Sequence, residues 1–339
     1  MSDPAQHVAL IYQDVDDLLT QVAAARPVPA GPVVLACRPE HRAPLADLLE
    51  AAGERQGAPG PVDRLDAHTR PAAAVAAYHR LGGVAPGAVV IGEADHGHDR
   101  AAWERAAHFE AALDLTLPGS GITVVCAYPA DTPAPLLAAV RRSHPHRLTV
   151  AGPVAEAGHA DPGAVLRQLA PDRPPPVPAV EPRLRITGSA SITDLGSIRR
   201  QLTACLADVA TLVRTDFVAA VNELLTNSYR HGAPPVGLTL WVTAAAVECR
   251  VTDGGAGRPA PDAGYRPSPD ARRTGIGLWL ARQACDDIGM WRTGETFTVR
   301  AATANTRPRL HSGALARAET AHTRAAAFAR RSRRPAGPS

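Results

Sequence analysis

Near the middle of the chain, Ala170 to Pro182 (APDRPPPVPAVEP) places six prolines in thirteen residues. Proline holds φ at about −65° and has no amide hydrogen, so a stretch this dense neither continues a helix nor sits inside a sheet. It reads as a semi-rigid, extended spacer, with a PxxP docking site for a partner as the weaker reading. It divides the chain into two stretches, and 339 residues suit about two domains.

Before the spacer, short apolar runs alternate with amphipathic segments. Strands are expected over Val8 to Tyr12, Pro32 to Cys37, Val62 to Leu65, Ala88 to Ala94, Ile122 to Tyr128 and Leu148 to Gly152. Helices are expected near Asp16 to Ala25, Arg42 to Ala52, Pro71 to Leu81, Arg100 to Leu115 and Pro133 to Ser143. This alternation implies an α/β unit with a mainly parallel sheet covered on both faces. Ligands of such sheets bind beyond the carboxyl ends of the strands, where Cys37, Glu93 and the Cys126 to Tyr128 edge fall. On residue physics alone a purely structural unit is the simpler reading. Asp95-His96-Gly97-His98-Asp99 lacks the ligand spacing of a defined metal site and reads as a solvated loop; Glu93 and Glu110 suit a small-molecule pocket better.

After the spacer, a strand is expected over Arg183 to Thr187 and a helix from about Asp194, with Leu195, Ile198, Leu202, Leu206, Val209 and Val213 at helical spacing. A second helix, capped by Thr215 or Asp216 and ended by Gly232, carries NELLTNSYRHG. At about 100° per residue, Glu223, Asn227, Arg230 and His231 share one face, and Phe217, Val221, Leu224, Leu225 and Ser228 the other. The apolar face already supplies the packing, so a carboxylate, an amide and an imidazole opposite it call for solvent or a ligand. Strands over Val236 to Thr243 and Val247 to Thr252 form a hairpin ending at Asp253, followed by a helix over Gly275 to Ile288 and a strand over Glu295 to Ala302. Two glycine clusters stand in this order: Asp253-Gly254-Gly255-Ala256-Gly257, and Thr274-Gly275-Ile276-Gly277 opening the helix. Glycines let backbone approach a ligand closely, and amides at a helix start suit phosphate.

The ordered triple of Asn227 helix, Asp253 box and Gly275 box resembles the N, G1 and G2 boxes of the GHKL (HATPase_c) ATPase and kinase superfamily, most closely its anti-sigma-factor serine/threonine kinase branch (RsbA/RsbW-like). The resemblance implies an α+β sandwich, a mixed sheet with helices on one face. It also implies ATP and Mg²⁺ as cofactors. Glu223 would be the catalytic base, Asn227 the Mg²⁺ ligand and Asp253 the acceptor for the adenine amino group. Gly255, Gly257, Thr274, Gly275 and Gly277 would line the nucleotide, with Arg272 and Arg273 near the lid and His231 in support. The implied partners are a sigma factor and an anti-anti-sigma (STAS-type) protein; kinases of this kind are often dimers, and the sequence leaves the oligomeric state open. A sensor histidine kinase is the nearest alternative, but Ala160 to Arg230 contains no histidine to serve as phosphoacceptor. The lid, Gly257 to Thr274, is short and rich in Pro and Arg, which keeps a non-catalytic, ATP-dependent binding module as a further alternative.

In the first half, His7-Val-Ala-Leu-Ile-Tyr, Ile91-Gly92-Glu93, His108-Phe-Glu110, Cys126-Ala-Tyr128 and Ser143-His144-Pro145 resemble landmarks of the MEDS sensory domain, a RecA-like module. That resemblance implies sensing of a small organic molecule. The expected organisation is a MEDS-like unit over 1–165, a spacer over 166–182, a GHKL unit over 183–305 and a basic tail over 306–339.

Charge is uneven along this chain. The tail from Thr306 carries eight Arg against Glu319, a net +7, so with +3 overall the remainder is about −4. A solvated tail is the default, and nonspecific phosphate contact the weaker option. There is no lysine, which excludes a P-loop GK[ST] and a Schiff-base lysine. Five cysteines without CxxC spacing give no disulfide framework or zinc pattern and read as small buried residues. No apolar run approaches the ~20 residues of a membrane helix and no signal peptide pattern is present, so a cytoplasmic location is expected.

Overall fold

A computed structural model describes residues 7–25, 31–51, 71–93, 100–169, 174–189, 191–256, 263–265 and 277–305. The first unit runs β1 (His7–Tyr12), α1 (Val15–Ala25), β2 (Val33–Ala36), α2 (Pro39–Ala51), α3 (Pro71–Val84), β3 (Val89–Glu93), α4 (Arg100–Thr116), β4 (Thr123–Pro129), α5 (Ala134–Ser143), β5 (His146–Thr149), β6 (Gly152–Ala155) and α6 (Pro162–Leu169). The sheet order is β2-β3-β4-β1-β5-β6, with β1 to β5 pairing in parallel and β6 antiparallel at the edge.

Because side chains alternate across a strand, the sheet feeds two cores. Val8, Leu10 and Tyr12 pack with Leu18, Val22, Leu45 and Leu49 of α1 and α2. Ala9, Val124, Cys126 and Tyr128 face α3, α4, α5 and α6 on the other side. Strands buried on both faces are what the continuous apolar runs demanded. The strand expected over Leu148 to Gly152 is instead two: β5 ends at Thr149 and β6 begins at Gly152, whose positive φ of 105° turns the chain back on itself. The strand expected over Val62 to Leu65 and the loop Asp95 to Asp99 lie outside the described residues.

The second unit runs β7 (Leu184–Ser189), α7 (Leu195–Cys205), α8 (Thr211–His231), β8 (Val236–Val242), β9 (Ala246–Asp253), α9 (Gly277–Ala284), β10 (Asp287–Thr293) and β11 (Thr296–Ala304). Its sheet, β10-β11-β9-β8-β7, is antiparallel throughout, which corrects the expectation of a mixed sheet. The helices bury one face of it through Ile198, Leu202, Phe217, Leu224, Leu238, Val251 and Ala281.

Two helix boundaries move. The helix from Asp194 ends at Cys205, so Val209 and Val213 belong to the next turn and to α8, which starts at Thr211 rather than at a Thr215 or Asp216 cap. The helix expected to reach Ile288 stops at Ala284, and Asp287–Thr293 is a strand instead. Its residues pair in register with β11 across a hairpin closed by Gly294 at φ 59°.

The outer face of this sheet is not bare. Arg250 lies 5.5 Å from the Trp241 ring and 5.4 Å from that of Trp291, and its Nη2 donates to the carbonyls of Pro175 (3.0 Å) and Pro176 (2.7 Å). The proline segment is thus tied to the sheet by carbonyls that no helix or strand uses.

Candidate nucleotide site

The site is built on α8. Its buried stripe, Val213, Phe217, Val221, Leu224, Leu225 and Ser228, seats it on the sheet. Glu223 and Asn227, one turn apart on the other side, are half-buried, while Arg230 and His231 are exposed in the last turn. Basic groups there complement the carbonyl end of the helix. Gly232 caps α8, its amide donating to Ser228 O at 3.0 Å.

Asp253 closes β9 with 4 % of its surface exposed. Its Oδ1 accepts the Gly255 amide at 2.8 Å, Gly254 donates to Ala233 O at 2.7 Å, and Arg292 Nη1 donates to Gly255 O. These bonds fold the chain after β9 against the end of α8. A Cβ on Gly232 would lie 2.5 Å from Asp253 Cγ, and one on Gly255 would lie 2.7 Å from Gly232 Cα. Only glycines allow this approach, so Asp253 is enclosed by backbone. At the start of α9, a Cβ on Gly277 would lie 2.6 Å from Glu223 Oε2. The Glu223 carboxylate therefore rests on the amino end of α9, where helix amides lack intrahelical acceptors.

Glu223 and Gly277 are thereby joined, as are Asp253, Gly232 and Gly255, with Asn227 one turn from Glu223. Gly257, Thr274, Gly275, Arg272 and Arg273 lie outside the described residues. A cleft of ≈ 920 Å³ lined by Arg199, Arg200, Arg214, Asn222, Trp279 and Glu223 among others was not foreseen; it touches Glu223 but neither Asn227 nor Asp253. The paired arginines on the polar side of α7 were its only trace in the sequence.

The connection from β9 to α9 reaches the first unit. Tyr265 is 3 % exposed and belongs to the core formed with α3 and α4. Its hydroxyl is hydrogen-bonded to His108 Nε2, and Arg282 of α9 stacks 4.5 Å from its ring while donating to Ala263 O at 2.8 Å. Burial, aided by the Arg282 charge, holds the His108 imidazole down at about 4.

At the strand ends of the first unit, Glu93 is buried and spoken for: Tyr12 Oη donates at 2.5 Å, the Arg38 amide at 3.0 Å, and His41 Nδ1 lies at 2.9 Å. Burial and the Glu93 carboxylate push the Tyr12 phenol well up. Cys37 donates to Ile91 O at 3.2 Å. Among the described residues these bonds tie the carboxyl end of β3 to the end of β1 and the start of α2. Among the described residues no helix is long and apolar enough to cross a membrane.

Residues 188–303 match the family model of the histidine kinase-like ATPase domain. That span covers every described residue of the site. A search of curated proteins gives no match. Among solved structures the chain is similar to the RsbU and RsbW domains of Rv1364c from Mycobacterium tuberculosis, at 20% identity over 37% of this chain and 33% of that one, with a TM-score of 0.29. The alignment thus spans about a third of that relative's length.

Proposed function

We propose that the second unit (183–305) binds ATP·Mg²⁺ and is a serine/threonine protein kinase of the anti-sigma-factor kind. It would phosphorylate a STAS-type anti-anti-sigma partner, hold a sigma factor, or do both. The first unit (1–165), MEDS-like in its landmarks, would respond to a small molecule. The observation that carries the reading is the backbone enclosure of Asp253 by Gly232 and Gly255, together with Glu223 and Asn227 one turn apart on α8.

The residues fit the nucleotide. One oxygen of Asp253 is committed to the Gly255 amide, and a carboxylate with remaining acceptor capacity in a nearly dry site suits a base amino group. Asn227 offers a hard amide oxygen for Mg²⁺. When bound, ATP supplies the γ-phosphoryl group and Mg²⁺ neutralises its charge. Glu223 would accept the proton of the attacking hydroxyl, and the amino end of α9 beside it would orient that carboxylate. Serine or threonine is favoured over histidine as acceptor because no histidine stands between Ala160 and Arg230.

A second reading, an ATP-dependent binding module without turnover, is favoured by one observation. Tyr265, in the β9–α9 connection, is held inside the first unit's core, and that connection is rich in Pro and Arg.

The experiment is calorimetry of ATP·Mg²⁺ binding with wild type and Asp253→Ala, then transfer of labelled γ-phosphate to STAS-type proteins with Glu223→Gln. Binding lost in the first variant and transfer lost in the second is the expected result. Binding without transfer selects the second reading, and absence of nucleotide binding rejects both.

A further inference from the structure

We propose that the first unit holds a four-coordinate divalent metal ion of the zinc class through His7 Nε2, His144 Nε2, Cys126 Sγ and Glu110 Oε2. The four residues come from the start of β1, the residue after α5, the middle of β4 and α4. All are buried, at 1 %, 0 %, 0 % and 2 % exposure, and one ligand atom from each lies within 4.8 Å of all the others.

The distances carry the geometry. With metal bonds of about 2.0–2.3 Å to nitrogen, oxygen and sulfur, the edges of a tetrahedron are about 3.3–3.7 Å. Here His7 Nε2 to Glu110 Oε2 is 3.3 Å, His7 Nε2 to Cys126 Sγ 3.5 Å, Cys126 Sγ to Glu110 Oε2 3.6 Å, and His144 Nε2 to Glu110 Oε2 3.6 Å.

The surrounding bonds aim these atoms inward. His144 Nδ1 lies 2.8 Å from the Val140 carbonyl, which can only accept, so Nδ1 carries a hydrogen and the ring turns its Nε2 toward Glu110. His7 Nδ1 faces the Asp114 carboxylate at 3.4 Å, which leaves its Nε2 toward Glu110 and Cys126 in the same way. Tyr128 Oη occupies the other Glu110 oxygen at 2.6 Å. Two imidazole nitrogens, a thiol sulfur and a carboxylate oxygen gathered this closely form a donor set that one cation can satisfy. One metal ion serves all four ligands at once, with Cys126 releasing its proton to solvent. Carboxylate and carbonyl partners behind metal-bound histidines are the usual outer shell, and Asp114 is itself held by His159 at 2.8 Å, on a side chain 31% exposed. Mixed thiolate, imidazole and carboxylate in a closed four-coordinate set favours Zn²⁺ over the hard ions Mg²⁺ and Ca²⁺.

The test uses the full chain, stripped by chelator and titrated with Co²⁺ as the spectroscopic substitute, then with Zn²⁺ in competition. One equivalent of Co²⁺ is expected, with four-coordinate d–d bands and a thiolate-to-cobalt charge-transfer band, both abolished by Zn²⁺. Cys126→Ser should lose the charge-transfer band, whereas Cys37→Ser, a buried thiol outside the cluster, should keep it. Asp114→Asn, acting only through His7, should weaken binding by about 10- to 100-fold while keeping the bands. Far-UV circular dichroism and a cooperative thermal transition check that each variant is folded, and the wild-type spectrum decides alone should a variant fail to fold. Less than stoichiometric uptake, or a spectrum unchanged by Cys126→Ser, overturns the proposal.

Discussion

The hydroxyl of Tyr265, from the connection that precedes α9, meets the imidazole of His108 on α4, so a residue of the second unit is buried in the core of the first. The Arg282 guanidinium covers the outer side of the ring. Removing the ring by Tyr265→Ala should cost about 3 kcal/mol, the usual scale for a buried aromatic. Hydrogen exchange should rise at Ala263–Tyr265 and along α9 and stay unchanged in β1–β5. Tyr265→Phe, which loses only the hydroxyl bond, should cost about 1 kcal/mol. Equal exchange in wild type and Tyr265→Ala would remove this contact from any account of how the two units communicate.

The same contact should depend on pH. Burial, then the Arg282 charge, hold His108 at about 4 in the folded chain, against an unfolded value of about 6.5. A depressed histidine is neutral when folded, so the unfolded chain takes up the proton first. The contribution is complete above about 6.5 and is lost as pH falls toward 4. The thermal midpoint of wild type should therefore fall faster between pH 7 and 4.5 than that of His108→Gln. Parallel curves would show that this imidazole does not titrate as its surroundings dictate.

Two glycines of the candidate nucleotide site should behave differently on substitution by alanine. At Gly277 the new methyl meets Glu223 Oε2, the end of a flexible side chain. Gly277→Ala should leave stability within about 1 kcal/mol and reduce phosphoryl transfer tenfold or so by displacing that carboxylate. At Gly232 the methyl meets Ser228 O and Asp253 together, where backbone cannot yield. Gly232→Ala should destabilise by roughly 1–3 kcal/mol and abolish ATP binding. Denaturant midpoints and calorimetry separate the two, and a Gly232→Ala protein with full affinity would show that Asp253 is not where the nucleotide binds.

Arg250 should prove to be the tie for the proline segment. It pairs with Glu248 at 2.8 Å, lies between two tryptophan rings and reaches two proline carbonyls. Arg250→Ala should lower stability by about 2–4 kcal/mol and expose residues 174–182 to limited proteolysis. Arg250→Lys should not restore protection, since an ammonium lacks the planar fork that stacks and donates at once. Protection retained in both variants would mean that the segment is held by something other than this side chain.

What could be read along the chain was whatever depends on neighbours in sequence. The period of apolar residues gave α8 a buried stripe with Glu223 and Asn227 opposite it, and the structure buries the same residues. Continuous apolar runs announced strands buried on both faces, because a sheet covered by helices leaves no polar side. The glycines around Asp253 were visible as a cluster, although their use, close approach between Gly232 and Gly255, was not.

Short segments misled where pairing outweighs local preference. Asp287 and Ile288 read as the end of a helix, yet the register of Asp287–Thr293 with β11 across the Gly294 turn makes them part of an edge strand, since ladder bonds decide what a few residues of weak period do. Five cysteines without ligand spacing argued against a metal, and no spacing rule could reveal His7 and Glu110, 103 positions apart, as neighbours of Cys126. By itself the sequence determined the buried face of α8, the apolar strands of the first sheet and the residue types available for chemistry, all consequences of local geometry. Only the tertiary structure decided which distant side chains converge, at His7 with Glu110 and at Tyr265 with His108, because those contacts come from strand order and helix packing rather than from any period in the chain.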